Sequence, residues 1–166
     1  MDRMFSPWRM EYIRRGNSGG ADPRCIFCAG EDDRGDPDRL ILGIYPLTLA
    51  ICNLYPYNNG HVLVAPRRHV ANLSLLSREE LAELMSLVAL GTGALEEEYS
   101  PQGFNVGMNI GKAAGAGIED HLHVHIVPRW RGDTNFMTAV QSTRVLPESL
   151  AETHARLSAR FISLKP

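Results

Sequence analysis

Histidines occupy every second position in the run His121-Leu122-His123-Val124-His125-Ile126-Val127. An extended strand sends alternate side chains to opposite faces, with like-facing Cα atoms about 6.5 Å apart. The run therefore predicts a strand that carries three imidazoles on one face. Leu122, Val124 and Ile126 point from the other face into an apolar layer. A lone histidine on a strand is commonly a hydrogen-bonded core side chain. Three in strict alternation bring no packing advantage. They gather three groups able to act as nucleophile, proton donor or metal ligand near neutral pH.

The rest of the chain must build a scaffold for that run. With 166 residues, of which 44% are hydrophobic, it is long enough to bury one core. Seventeen basic against nineteen acidic residues leave a net charge of −2, which gives no electrostatic case for a nucleic-acid scaffold. No apolar run approaches the about 18 residues of a membrane helix, and the start of the chain lacks the apolar stretch of a signal peptide. Three cysteines, two of them close together, do not make a secreted disulfide framework. The cytoplasm is the expected compartment, with no membrane partner.

Residues 1–24 read as an N-terminal arm, aromatic and basic from Trp8 to Ile13 and loose from Gly16 to Pro23. Residues 25–166 read as a single domain that includes a C-terminal helix. Glu31 to Asp38 is a solvated acidic loop. Leu40–Tyr45 and Leu47–Asn53 predict adjacent strands, Pro56 to Gly60 a turn, and His61–Ala65 the next strand. Ser77 and Glu80 form a capping box that opens a helix to about Tyr99, with Leu81, Leu84, Met85, Val88 and Leu95 as its core stripe. Phe104, Val106, Met108 and Ile110 alternate with polar or small residues, as in a half-buried strand. A glycine-rich loop, Gly111 to Gly117, then leads into the histidine strand. Pro147 to Leu164 predicts the last helix, with Leu150, Leu157, Phe161 and Leu164 on one side. Strands paired in sequence with two separate helices predict an α+β fold with an antiparallel sheet of about five strands.

The pattern His-apolar-His-apolar-His-apolar-apolar, followed by Pro128-Arg129, resembles the signature of the histidine triad (HIT) superfamily of nucleotidyl hydrolases and transferases. The segment Asn53 to Pro66, with Gly60-His61-Val62-Leu63-Val64 at its heart, resembles that family's upstream hairpin. Together they cover about residues 25–130. The resemblance implies a HIT-like fold, a nucleotide or dinucleoside polyphosphate substrate, and a homodimer.

It also implies roles. The middle histidine, His123, matches the nucleophile; neutral imidazole suits the task because its bond to phosphorus is labile. His125 is placed to hydrogen-bond the phosphoryl oxygens or the leaving group. His61 matches a position near the same phosphate, although on its own it reads as a structural histidine. Asn53 matches a ribose-binding position, the alternative being an Asx turn ahead of Tyr55-Pro56. Asn109, Gly115 and Gly117 can offer an amide and backbone N–H groups to phosphate, the alternative being a plain turn. Ile41, Leu49 and Ile51 can line a base slot but read more simply as core. Many relatives carry Gly-Gln-Ser or Gly-Gln-Thr before the first histidine, where this chain has Gly117-Ile118-Glu119-Asp120. The leaving-group helper is thus missing or relocated. The loop, Pro128-Arg129-Trp130 and the run from Gly132 to Met137 look like the bacterial diadenosine tetraphosphate phosphorylase branch.

Cys25-Ile26-Phe27-Cys28 is the second constellation. In a cytosolic chain a Cys-x2-Cys pair favours metal or redox chemistry over a disulfide. Similarity to the metal site of several bacterial HIT proteins and of galactose-1-phosphate uridylyltransferases implies His69 and His121 as further ligands of a structural zinc. Four such ligands close a tetrahedral shell. Cys52, in an apolar strand, is expected in the core. The leading expectation is therefore an enzyme that cleaves dinucleoside polyphosphates, as phosphorylase or hydrolase, through a nucleotidyl-histidine. The alternatives are an adenosine 5'-monophosphoramidase-type HIT hydrolase and a non-catalytic nucleotide-binding interaction protein.

Overall fold

A computed structural model describes residues 25–33, 39–134 and 146–166. The N-terminal arm, part of the acidic loop, and the end of the Gly132–Met137 run lie outside the described residues. The strands are β1 (Ile41–Ile44), β2 (Thr48–Cys52), β3 (Val62–Pro66), β4 (Gly103–Met108) and β5 (Val124–Arg129). The helices are α1 (Arg78–Tyr99) and α2 (Leu150–Phe161). The sheet is antiparallel throughout, in the order β1-β2-β3-β5-β4. The described residues adopt the expected α+β architecture, with five strands and two helices.

Local sequence explains where the helices begin. Ser77 accepts from the Glu80 backbone N–H while the Glu80 carboxylate accepts from that of Ser77, which satisfies two otherwise orphaned donors. Arg68 also grips Glu80, and these bonds pull its carboxyl down to about 2. A second such box, Ser149 with Glu152, opens α2. The stripe on α1 runs differently from expectation: Leu84, Val88 and Leu95 are buried, but Met85 is 51% exposed and Leu81 only partly covered. Leu87, Gly91 and Ala94 complete the true buried face, because Gly91 lets Ile126 and Phe161 approach the helix.

Both faces of the central strands are covered, and they are covered by different things. Ala50, Cys52, Val62, Val64, Val124 and Ile126 pack under the helices. Ile41, Leu49, Ile51, Leu63 and Ala65 form a second cluster on the opposite face, closed by Phe27. β4 is the exception. It is an edge strand, with Val106 46% exposed and Ile110 beyond it 40% exposed. Its apolar residues are therefore less buried than their alternation suggests. Among the described residues, no strand pairs with the outer edge of β4.

Candidate active site and metal centre

The histidine run straddles the start of β5. Only His125 lies in the strand, opposite Leu63 of β3 and Gly107 of β4. His121 and His123 precede it in extended backbone, anchored where the Leu122 N–H donates to the Val70 carbonyl. The alternation survives this boundary. Leu122, Val124 and Ile126 are buried on the helix side. The imidazoles of His123 and His125 sit 5.1 Å apart on the other.

That face carries a cavity of about 210 Å³, with Phe27, Leu40, Ile51 and Leu63 among its apolar walls. Asn53, Asn109, Gly115, Gly117, His123 and His125 all line it, so six of the expected site residues converge. Ile41 and Leu49 do not; they belong to the core beneath. Cys52 is both core and cavity wall, and burial pushes its thiol up to about 12, away from reactivity.

Hydrogen bonds assign the ring tautomers. Nδ1 of His123 donates to the His121 carbonyl at 2.8 Å, which leaves Nε2 with the lone pair. Burial lowers the His123 pKa, against the pull of that bond, and favours the neutral ring that a nucleophile requires. His61 does not line the cavity, and it is 1% exposed. Its Nδ1 accepts from the Tyr57 N–H at 3.0 Å, so its Nε2 carries the proton toward Nδ1 of His125, also at 3.0 Å. His125 is thereby set with Nε2–H as a donor. His61 orients His125 from behind.

Asn53 adopts the Asx turn, its Oδ1 accepting from the Tyr55 N–H, while its amide nitrogen lies 3.2 Å from His61 Nδ1. Being a turn residue does not remove it from the cavity. In the glycine-rich loop, Gly111 and Gly115 take φ of 81° and 88°, a region open chiefly to glycine. The N–H groups of Ala114, Gly115 and Ala116 bond to carbonyls within the loop, leaving it fewer donors for phosphate than its composition suggests.

His61 makes the fold sensitive to acid. Burial, and then the neighbouring His125 and His123, push its pKa down to about 3. An unfolded histidine titrates near ~6.5, so below that pH the unfolded chain takes up a proton that the folded one refuses. Stability is thus lost as pH falls through this window. By pH 5 the loss from His61 is about 2 kcal/mol, or roughly 4–8 °C in Tm. A His61→Gln protein should show a correspondingly flatter dependence of Tm on pH between 7.5 and 5. Parallel curves for parent and variant would exclude His61 as the cause.

Next to the cavity, Cys25, Cys28, His69 and His121 bring one ligand atom each to within 4.8 Å of one another. The Sγ of Cys25 lies 3.4 Å from Nδ1 of His121, and that of Cys28 3.3 Å and 3.7 Å from Nδ1 of His69 and His121. A tetrahedral shell with sulfur at about 2.3 Å and nitrogen at about 2.0 Å sets ligand atoms about 3.3–3.8 Å apart, so the spacing fits. The fit extends outward, because Nε2 of His121 donates to the Pro66 carbonyl at 2.8 Å and leaves Nδ1 facing the sulfurs. These four residues can hold a metal ion.

Several residues escaped the sequence reading. Tyr57 packs its ring 4.7 Å from His61 and 5.8 Å from His125. Arg39 reaches back to the carbonyls of Ile26 and Cys28. Asp133 holds Arg129 and Asn58 together and so ties the 55–60 turn to the end of β5. Only Phe27 carried a signal, its place between two cysteines.

The HIT domain family model matches residues 35–132. A Mycobacterium tuberculosis protein named AP-4-A phosphorylase is 37% identical over 97% of this chain and 85% of its own length. An adenosine 5'-monophosphoramidase of Schizosaccharomyces pombe is 31% identical over 82% of this chain and 98% of its own length. A crystal structure of a zinc-bound histidine triad family protein from Mycobacterium smegmatis superposes with a TM-score of 0.61. It is 30% identical and covers 82% of this chain and 92% of that one.

Proposed function

This chain belongs to the HIT domain family, and from that premise we propose that it cleaves dinucleoside polyphosphates through a nucleotidyl-histidine intermediate. The observation that carries the reading is the pairing of two rings at one cavity. His123 offers an unprotonated Nε2, and His125 beside it carries Nε2–H as a donor. The similarity to an AP-4-A phosphorylase over nearly the whole chain supports the substrate class.

In the proposed reaction one nucleoside occupies the cavity, with Asn53 at the ribose and Asn109, Gly115 and Gly117 beside the phosphates. Nε2 of His123 attacks the α-phosphorus. A P–N bond forms, the P–O bond to the bridging oxygen breaks, and the other nucleotide leaves as a nucleoside polyphosphate. Charge develops on the phosphoryl and leaving oxygens, where the His125 Nε2–H can donate. An oxygen of inorganic phosphate or water then attacks phosphorus, the P–N bond breaks, and Nε2 recovers its lone pair. Cys25, Cys28, His69 and His121 would hold a zinc ion, which would neutralise the thiolates and leave no position for water once all four had bound it. The open β4 edge with exposed Val106 and Ile110 fits a second copy of the chain, in line with a homodimer.

A product assay tests the reading. Incubated with diadenosine tetraphosphate, a phosphorylase yields ADP and ATP only when inorganic phosphate is present, whereas a hydrolase yields AMP and ATP without it. No cleavage under either condition sinks the proposal. Turnover of adenosine 5'-phosphoramidate alone would favour the phosphoramidase reading, which the Schizosaccharomyces pombe relative supports.

A further inference from the structure

Phe27 stands between Cys25 and Cys28 in sequence, and its ring packs onto the histidine run. It is fully buried, and it lies stacked on His123 with centroids 4.8 Å apart and planes 26° from parallel. Its ring also lies 5.2 Å from that of His121, tilted by 55°. We propose that Phe27 is a positioning residue for the nucleophile: its face fixes the plane of the His123 imidazole, and so the aim of Nε2 into the cavity. This rests on the reading of His123 as nucleophile.

Two constraints are needed because one leaves a freedom. The Nδ1 bond to the His121 carbonyl pins one corner of the imidazole but still allows the ring to swing about that bond. A flat, buried surface against the ring face removes the swing. In-line attack depends on alignment as well as distance, and small errors of aim cost large factors in rate.

Phe27 is itself held unusually well for a residue on a short turn. The Cys28 N–H donates to the Cys25 carbonyl at 2.9 Å and closes the turn. Arg39 donates to the carbonyls of Ile26 and Cys28 and is paired with Asp33 at 2.7 Å. Cys25 and Cys28 then fix the two ends against His69 and His121. The turn that closes the metal shell on one side thus sets the nucleophile on the other. A metal held by these four residues would shape the chemistry through the ring that the turn carries.

The test compares Phe27→Leu and Phe27→Met with the parent, each metal-loaded. Both keep an apolar side chain of similar volume without a flat face, and the flexible methionine serves where leucine disturbs folding. The first readout is the single-turnover rate of adduct formation at saturating diadenosine tetraphosphate. Saturation separates this rate from any weaker nucleotide binding, since Phe27 also lines the cavity. The rate should fall about tenfold or more. The second readout is the NMR relaxation spectrum of the His123 ring Cε1–H, which reports ring order and needs no substrate. The parent should show an ordered ring, and the variants a larger amplitude of ring motion about the retained Nδ1 bond. A parental rate at saturation, or an unchanged His123 spectrum in a folded variant, overturns the inference. A rise in KM with kcat intact does so too, because it leaves Phe27 as a wall of the cavity only. Should the parent form no adduct, the functional reading fails, while the His123 spectrum still decides the positioning role.

Discussion

A His123→Ala protein is expected to form no nucleotidyl adduct and to lose essentially all turnover, while nucleotide binding survives. The reason lies in the kind of contribution lost. A donor to a phosphoryl oxygen lowers one barrier, but a covalent nucleophile opens the whole two-step route. His123 is the ring whose Nε2 is left unprotonated by its own hydrogen bond at the cavity wall. Loss of His125 should be milder, on the order of 3–4 kcal/mol of transition-state stabilisation. His121→Ala should behave as a folding defect, because its Nδ1 faces the two sulfurs. Single-turnover kinetics with labelled dinucleotide, reading acid-labile label on the protein, separates the three. A His123→Ala protein that still acquires label would move the nucleophile to His125.

The second large effect concerns stability. Cys28→Ser should lose the metal and lower Tm by about 10–20 °C, corresponding to roughly 5 kcal/mol. Cys28 has its Sγ beside both His69 and His121, so it cannot be replaced by a shift of Cys25 alone. The site also ties together three distant stretches of chain, at residues 25–28, 69 and 121. Metal analysis and a melting curve on parent and variant check this. Parent protein from zinc-replete cells that carries no metal, or a variant that melts with the parent, would refute the zinc assignment.

Much of the site was legible because it is local or periodic. The alternation from His121 to Val127 is a period-two pattern, and a strand converts that pattern into two faces whatever lies around it. The capping box at Ser77 and Glu80 and the Cys-x2-Cys pair are equally local. The α1 stripe was less legible, since Leu81 and Met85 suit a helical face by spacing. Which side of a helix is covered depends on what packs there, and here Phe161 and Ile126 approach at Gly91 instead. β4 failed in the same sense. Its alternation marks a strand correctly, but an edge position leaves Val106 exposed.

By itself the sequence determined the chemistry at hand: imidazoles on one face of a strand, a close pair of thiols, and the elements that carry them. Spacing within a few residues suffices for that, because backbone geometry alone sets it. Only the tertiary structure decided how those groups divide the work. It set His61 behind His125, buried and 3.0 Å from its Nδ1. It brought residues 25–28 against His69 and His121. It also laid Phe27 on His123, 96 positions further along the chain. Contacts of that separation arise when the two faces of a sheet are covered. No local pattern encodes them, since either partner alone looks like an ordinary buried ring.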